Sequence, residues 1–230
     1  MRSVYTWIVG LGLALMVVGM AILPLSGPAF TRELSSRFSL AGQAGLGRER
    51  MLEIAEQVRA FVVDAEGETL PETVDGRPGF DAAAVSHLID VRRVLSVARL
   101  FTGLITLFVA AWMAVAVARK RRSDIGDAMR AGAVLALAFV ALTALSAAVD
   151  FERFFSAFHG VFFHSGTWTF PYDSLLISTF PEPFWVTAGA AWAALTVLGA
   201  GLLGGLARLL ATTERTRPRD RPMTRNVTSR

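Results

Sequence analysis

Four stretches of the chain are apolar almost without interruption: residues 4–25, 100–117, 131–149 and 184–210. About 20 apolar residues carry a helix across the hydrocarbon core of a bilayer, so each stretch predicts a membrane-spanning helix. The first is open to a second reading as a secretory signal, because Arg2 precedes it. A signal's apolar region is about 7–15 residues long, however, and no small-x-small cleavage site follows here. A retained anchor is the favoured reading. The fourth stretch carries Gly201 and Gly205, and also Gly189 and Ala193, at the spacing that lets helix backbones approach closely. Close packing inside one bundle is expected from them rather than a dimer contact.

Between the spans the pattern changes. Residues 48–63 place Met51, Leu52, Ile54, Ala55, Val58 and Val62 on one broad face, which predicts an amphipathic helix. Beside a span, such a helix is expected to lie on the membrane surface. Residues 64–78 are polar, with Gly67, Pro71, Gly76 and Pro78, and predict a loop. Asp81 is placed to cap a helix that runs through His87 and Asp90 directly into the second span. Arg92, Arg93 and Arg99 then fall near the interface, within reach of lipid phosphates. The region 150–185 is dense in Phe, with Trp168, Tyr172 and Trp185 among them. Two short helices are expected there, over 151–163 and 172–178, as an interfacial or re-entrant aromatic segment.

Composition narrows the class. The chain is 53% hydrophobic with a mean hydropathy of +0.48, unlike an ordinary soluble domain. The prediction is an all-α integral membrane protein: a four-transmembrane-helix bundle with an extracytoplasmic amphipathic helical region. Residues 1–211 form one membrane domain, with 26–99 and 150–183 outside and a disordered cytoplasmic tail over 212–230. There are no cysteines, which excludes disulfides, thiolate metal sites and cysteine nucleophiles. The net charge of +4 is not read as a nucleic-acid signal, because the basic residues flank the spans. Arg119-Lys120-Arg121-Arg122 and Arg130 lie between spans two and three, six arginines follow span four, and Arg2 precedes span one. Positive charge marks the cytoplasmic side. All three flanks put both termini on the inner side of the membrane and both long connections on the outer side. The Asn226-Val227-Thr228 sequon would then be cytoplasmic and is read as chance.

The chemistry-bearing residues are few. The three histidines, His87, His159 and His164, all fall in the outer segments. Histidine is suited to proton transfer near neutral pH. His87 and Asp90 share a helix face; Asp90 either orients His87 or pairs with a nearby arginine such as Arg93. The three histidines and Asp90 also invite a metal site, but His159 and His164 point about 140° apart on a helix, and no HExxH pattern exists. No metal or cofactor is expected. Serine catalysis is weakly supported, since there is no GxSxG elbow.

His87-Leu88-Ile89-Asp90-Val91 ahead of a span resembles the first motif of the lipoprotein intramolecular transacylase family. Phe158-His159, Phe162-Phe163, Trp168, Pro171, Asp173, Leu175-Leu176 and Phe180-Pro181-Glu182-Pro183-Phe184 are similar to its longest motif. The resemblance extends over the whole layout of spans and outer segments. It implies an enzyme that moves the sn-2 acyl chain of a lipoprotein's diacylglyceryl-cysteine onto that cysteine's α-amino group, giving a lyso-form lipoprotein. It places the two functional histidines on His87 and His159, with Asp90, Trp168, Tyr172, Asp173 and Glu182 as supporting or substrate-binding candidates. His164 matches no family histidine. The implied partners are diacylglyceryl-modified lipoproteins and membrane lipid, and the expected state is a monomer. One histidine would serve as base and the other as oxyanion stabiliser; His159 is the favoured base, with the reverse assignment open. A metal-dependent membrane lipid or ester hydrolase and a non-enzymatic membrane accessory protein are the rival readings.

Overall fold

The four apolar stretches fold as long helices. The computed structural model describes residues 2–67, 69–164 and 166–215. Ser165 and, from residue 216 onward, the expected disordered tail with its sequon lie outside the described residues. Span one is α1 (Arg2–Met20) continued by the short α2 (Ile22–Leu25). The break falls where Pro24 has no N–H to donate and its ring crowds the carbonyl four residues back, at Met20. Span two is the C-terminal half of α6 (Ala82–Ala118), span three lies in α7 (Arg122–Val149), and span four in α10 (Glu182–Arg215). The last helix runs to Arg215, so residues 212–215 are helical where the tail was expected to begin. All four are long and apolar enough to cross a membrane, with mean hydropathies between 1.7 and 2.5.

The bundle packs through small residues. α7 lies between α1 and α10, and α1 also meets α6. Val9, Leu13, Ala14, Val109, Ala128, Ala136, Ala200, Leu203 and Ala207 form its core. α1 and α7 cross closely at Gly10 and Gly132. A Cβ on Gly10 would sit 2.6 Å from the Ala131 Cβ, and one on Gly132 would sit 2.8 Å from the Leu13 Cβ and 3.0 Å from the Gly10 carbonyl oxygen. Gly189, Gly201 and Gly205 have open space where a Cβ would point, so the spacing in span four does not mark the contact inside the bundle. Gly199 does, against Val17. Overpacking a tight contact costs about 1–3 kcal/mol. Gly132→Val is therefore expected to lower the melting temperature of the detergent-solubilised protein by several degrees, and Gly201→Val to leave it near the wild type.

The two long connections build a second core at the end of the bundle away from the Arg119–Arg122 turn. The first contributes α3 (Pro28–Phe38), α4 (Ala41–Ala44), α5 (Arg48–Arg59) and a π-helical turn over Ala60–Asp64. The second contributes α8 (Phe151–Phe162) and α9 (Leu175–Thr179). Met51, Ile54, Ala55, Val58 and Phe61 from the first are buried together with Leu175, Leu176 and Phe180 from the second. Ala84 and Leu88 of α6 and Phe184 of α10 close this core from the bundle side. The amphipathic helix at 48–59 thus does not spend its apolar face on the membrane surface. Met51, Ile54 and Ala55 are fully buried in protein, because α3 and α9 already cover that face.

The expected loop at 64–78 holds a two-stranded hairpin, β1 (Thr73–Val74) and β2 (Arg77–Pro78). Asp75 and Gly76 both have positive φ, 49° and 75°, the backbone that suits a two-residue hairpin turn. Asp81 caps α6 as its position predicts, accepting from the Ala84 N–H at 2.7 Å. α6 is 37 residues long, roughly 55 Å at the helical rise, so its first turns rise well clear of the apolar stretch at 100–117. The arginines between are held by the protein. Arg99 donates to the Val63 carbonyl at 2.6 Å, and Arg92 donates to Gly67 with its guanidinium over the Phe61 ring at 3.9 Å.

Candidate active site

His87 sits one and a half turns into α6, on the side that faces the second core. It lies thirteen residues ahead of the apolar stretch of span two. His159 is near the end of α8, which Asp150 caps; the Asp150 carboxylate accepts from the Arg153 N–H at 2.9 Å and fixes the start of the helix. The two helices bring the imidazoles together. Their ring centroids are 6.1 Å apart, with the planes inclined by 28°.

An aromatic wall surrounds the pair. Phe163 and Phe170 pack on His87 at 4.9 and 5.5 Å, and Phe155 and Trp168 pack on His159 at 4.0 and 4.8 Å. Phe163 also touches His159 at 5.6 Å. His87 is almost wholly buried, 8% exposed, and its Nδ1 has no hydrogen-bond partner. Burial pushes its pKa down to about 4, assisted by the nearby His159 and opposed by Asp90. His87 is therefore a neutral imidazole at physiological pH.

The hydrogen bonding of His159 identifies its tautomer. Its Nδ1 lies 2.9 Å from the Phe155 carbonyl oxygen, one helical turn back. A carbonyl only accepts, so Nδ1 carries the proton. The lone pair of the neutral ring is then on Nε2, available to take a proton. Burial lowers the pKa of His159 too, partly offset by its bond to Phe155. Two neutral imidazoles in an apolar enclosure can accept and donate protons without first losing one to water.

The supporting candidates separate. Asp90 pairs with Arg93 at 2.9 Å rather than with the His87 ring, and reaches His87 only through its charge. Trp168 joins the pair, and its indole Nε1 is buried without a partner. Tyr172 is 74% exposed; its backbone carbonyl accepts from the Gln43 side chain at 2.7 Å, tying the two connections together. Asp173 is exposed just before α9, and Glu182 is exposed in the first turn of α10. His164 is exposed beyond the end of α8, where its carbonyl anchors the Thr167 turn. Among the described residues, no three His, Asp or Glu side chains gather in a metal-holding group. The sequence reading missed Phe155 and Phe170. Phe155 was within reach of it, being one helical turn from His159; nothing in the sequence ties Phe170 to a histidine 83 positions earlier.

Comparison with known proteins identifies the fold and the family. Three structures of the membrane integral lipoprotein intramolecular transacylase Lit from Bacillus cereus are similar in fold. The first is 18% identical with a TM-score of 0.76, covering 94% of this chain and 98% of that one. A second, carrying a histidine-to-arginine substitution, is 17% identical with a TM-score of 0.76 and covers 94% of each chain. A third, with a histidine-to-alanine substitution, is 16% identical with a TM-score of 0.69 and covers 94% of this chain and 96% of that one. No curated protein matches by sequence at a significant level. A family model matches residues 4–185, which include both histidines and every supporting candidate: with its four apolar helices and paired imidazoles, the chain belongs to the lipoprotein intramolecular transacylase Lit family.

Proposed function

We propose that the chain transfers the sn-2 acyl group of a diacylglyceryl-modified lipoprotein to the α-amino group of the same cysteine, with His159 as the base. The observation that carries this reading is the free Nε2 of His159, its tautomer set by Phe155, beside a second neutral histidine. The amine attacks the ester carbonyl carbon and the C–N bond forms. The amine proton passes to His159 Nε2, and His87 stabilises the oxyanion as a hydrogen-bond donor. Collapse breaks the C–O bond, and the imidazolium returns its proton to the departing sn-2 oxygen. The products are an N-acylated cysteine and a monoacylglyceryl thioether. Amine and ester belong to one molecule, so the enzyme's main task is to hold them in an attack geometry. The aromatic wall of Phe155, Phe158, Phe162 and Phe163 suits acyl chains entering from the bilayer.

The basic flanks support both termini being cytoplasmic and the histidine pair lying on the outer face, where lipid-modified cysteines reside. Residues 1–211 are read as one membrane domain acting as a monomer in contact with lipid. The test is mass spectrometry of lipoprotein N-terminal peptides from a bacterial host lacking other N-acylating enzymes, with and without this chain, and with a chelator present in a parallel membrane assay. One acyl chain is expected to move from glycerol to nitrogen at constant total acyl number, indifferent to chelation. A loss of one chain to free fatty acid, abolished by the chelator, would instead establish the metal-dependent hydrolase.

A further inference from the structure

We propose that the indole N–H of Trp168 is a second donor to the oxyanion, making Trp168 a catalytic residue; this rests on the transacylase reading above. Trp168 lies on the turn between α8 and α9, after Gly166, whose φ of +83° is in the left-handed region. Thr167 holds that turn, both its backbone N–H and its hydroxyl donating to the His164 carbonyl, at 3.2 and 2.9 Å. The same turn delivers one ring to each histidine: Trp168 to His159 and Phe170 to His87.

The indole nitrogen is the distinguishing feature. Trp112 donates to the Tyr5 hydroxyl, Trp185 to the Phe180 carbonyl at 3.0 Å and Trp192 to the Val18 carbonyl at 3.1 Å. Trp168 Nε1 is buried and has no partner, although its ring is packed against Phe155 at 6.5 Å as well as His159. A buried donor without an acceptor lowers stability, and a catalytic role is one of the reasons a native structure keeps such a group. Among the described residues, the only other ring nitrogen in this state is His87 Nδ1, on a ring 6.1 Å from that of the same His159.

The chemistry asks for this combination. The amine nitrogen and the developing oxyanion are bonded to one carbon. A base about 3 Å from the nitrogen and a donor about 3 Å from the oxygen must therefore lie within about 8 Å of each other. The 4.8 Å between the His159 and Trp168 rings meets that limit. Indole donates only and does not titrate, so it cannot compete with His159 for the amine proton. With His87 and Trp168 both as donors, the oxyanion receives two hydrogen bonds from groups that stay neutral.

The experiment uses the purified full chain in lipid nanodiscs with a synthetic diacylglyceryl-cysteinyl peptide, comparing wild type, Trp168→Phe, Trp168→His and His159→Ala. Trp168→Phe keeps the ring and removes the donor. Its kcat is expected to fall about 10–100-fold, less than for loss of a sole donor because His87 remains. KM should stay within about threefold, and the melting temperature should be unchanged or raised. Trp168→His, which restores a ring N–H, should recover part of the lost kcat. A kcat within twofold of wild type in Trp168→Phe overturns the proposal, as does a loss carried by KM or accompanied by a lower melting temperature in both Trp168 variants. His159→Ala separates the two levels: inactive His159→Ala beside active Trp168→Phe removes only the role of Trp168, whereas activity in both removes the transacylase mechanism beneath it.

Discussion

Replacing His159 with alanine is expected to lower acyl transfer by roughly 10²–10⁴-fold, the usual worth of a positioned general base, while the protein still accumulates in the membrane. The ring is only half-buried, so its removal should not collapse the fold. The pH profile of the wild type gives a second reading of the same residue. The substrate's α-amino group has a reference pKa of about 7.7–8.0 and must be free to attack. The pKa of His159 is lowered by burial, so its imidazole stays unprotonated through the neutral range. From about pH 6.5 to 7.5, log kcat/KM should therefore rise with a slope near one, owed to the amine alone. The slope should approach two only in more acid solution, where His159 also protonates. A His159→Ala enzyme that retains activity within tenfold of wild type, or a wild-type profile with slope two near pH 7, would remove His159 as the base.

The spans were legible because a bilayer imposes a length and a composition that no other environment does. Val4–Leu25 is the same segment in sequence and in structure. The second core was much less legible. The apolar face at Met51, Ile54, Ala55 and Val58 announces a helix, but periodicity says only that the face is covered, not by what. Part of the cover is α3, close by in sequence, and part is Leu175 and Leu176, more than a hundred positions away. The hairpin was readable in principle, since Asp75-Gly76 is a strong turn signal, but two-residue strands carry no periodic pattern. Small residues misled for a related reason. Gly201 and Gly205 have the spacing of a contact, yet Gly10 and Gly132 make it, because spacing defines a face without choosing which face meets a neighbour.

The site was legible in its histidines and not in its walls. Three histidines in the chain, all between spans, left little choice of base. That His87 and His159 meet depends on α6 and α8 converging across 72 positions of sequence, and the resemblance carried this where periodicity could not. Asp90 shows the reverse. The i, i+3 spacing to His87 is real, but the same spacing forward reaches Arg93, and the ion pair won.

Replacing His87 with phenylalanine should have two effects of opposite sign. Phenylalanine is close in volume and suits a site walled by Phe163 and Phe170, so the fold should persist while both ring nitrogens are lost. Removing one oxyanion donor typically costs about 100–1000-fold in kcat, and a loss of that order is expected, with Trp168 and His159 still in place. Stability in acid should improve. In the folded protein the pKa of His87 is held near 4, below its unfolded value of about 6.5. Between those values the unfolded chain binds more protons than the folded one, so the stability that neutral His87 permits is fully present above pH 6.5 and is lost as the pH falls toward 4. The loss is on the order of 3 kcal/mol. His87→Phe deletes that contribution, so its melting temperature relative to wild type should rise as the pH is lowered through this window. An active variant would make His87 a packing residue. A variant as acid-sensitive as the wild type would show that His87 is not the neutral group that burial makes it, and would take with it the donor role, which depends on His87 staying uncharged beside the base.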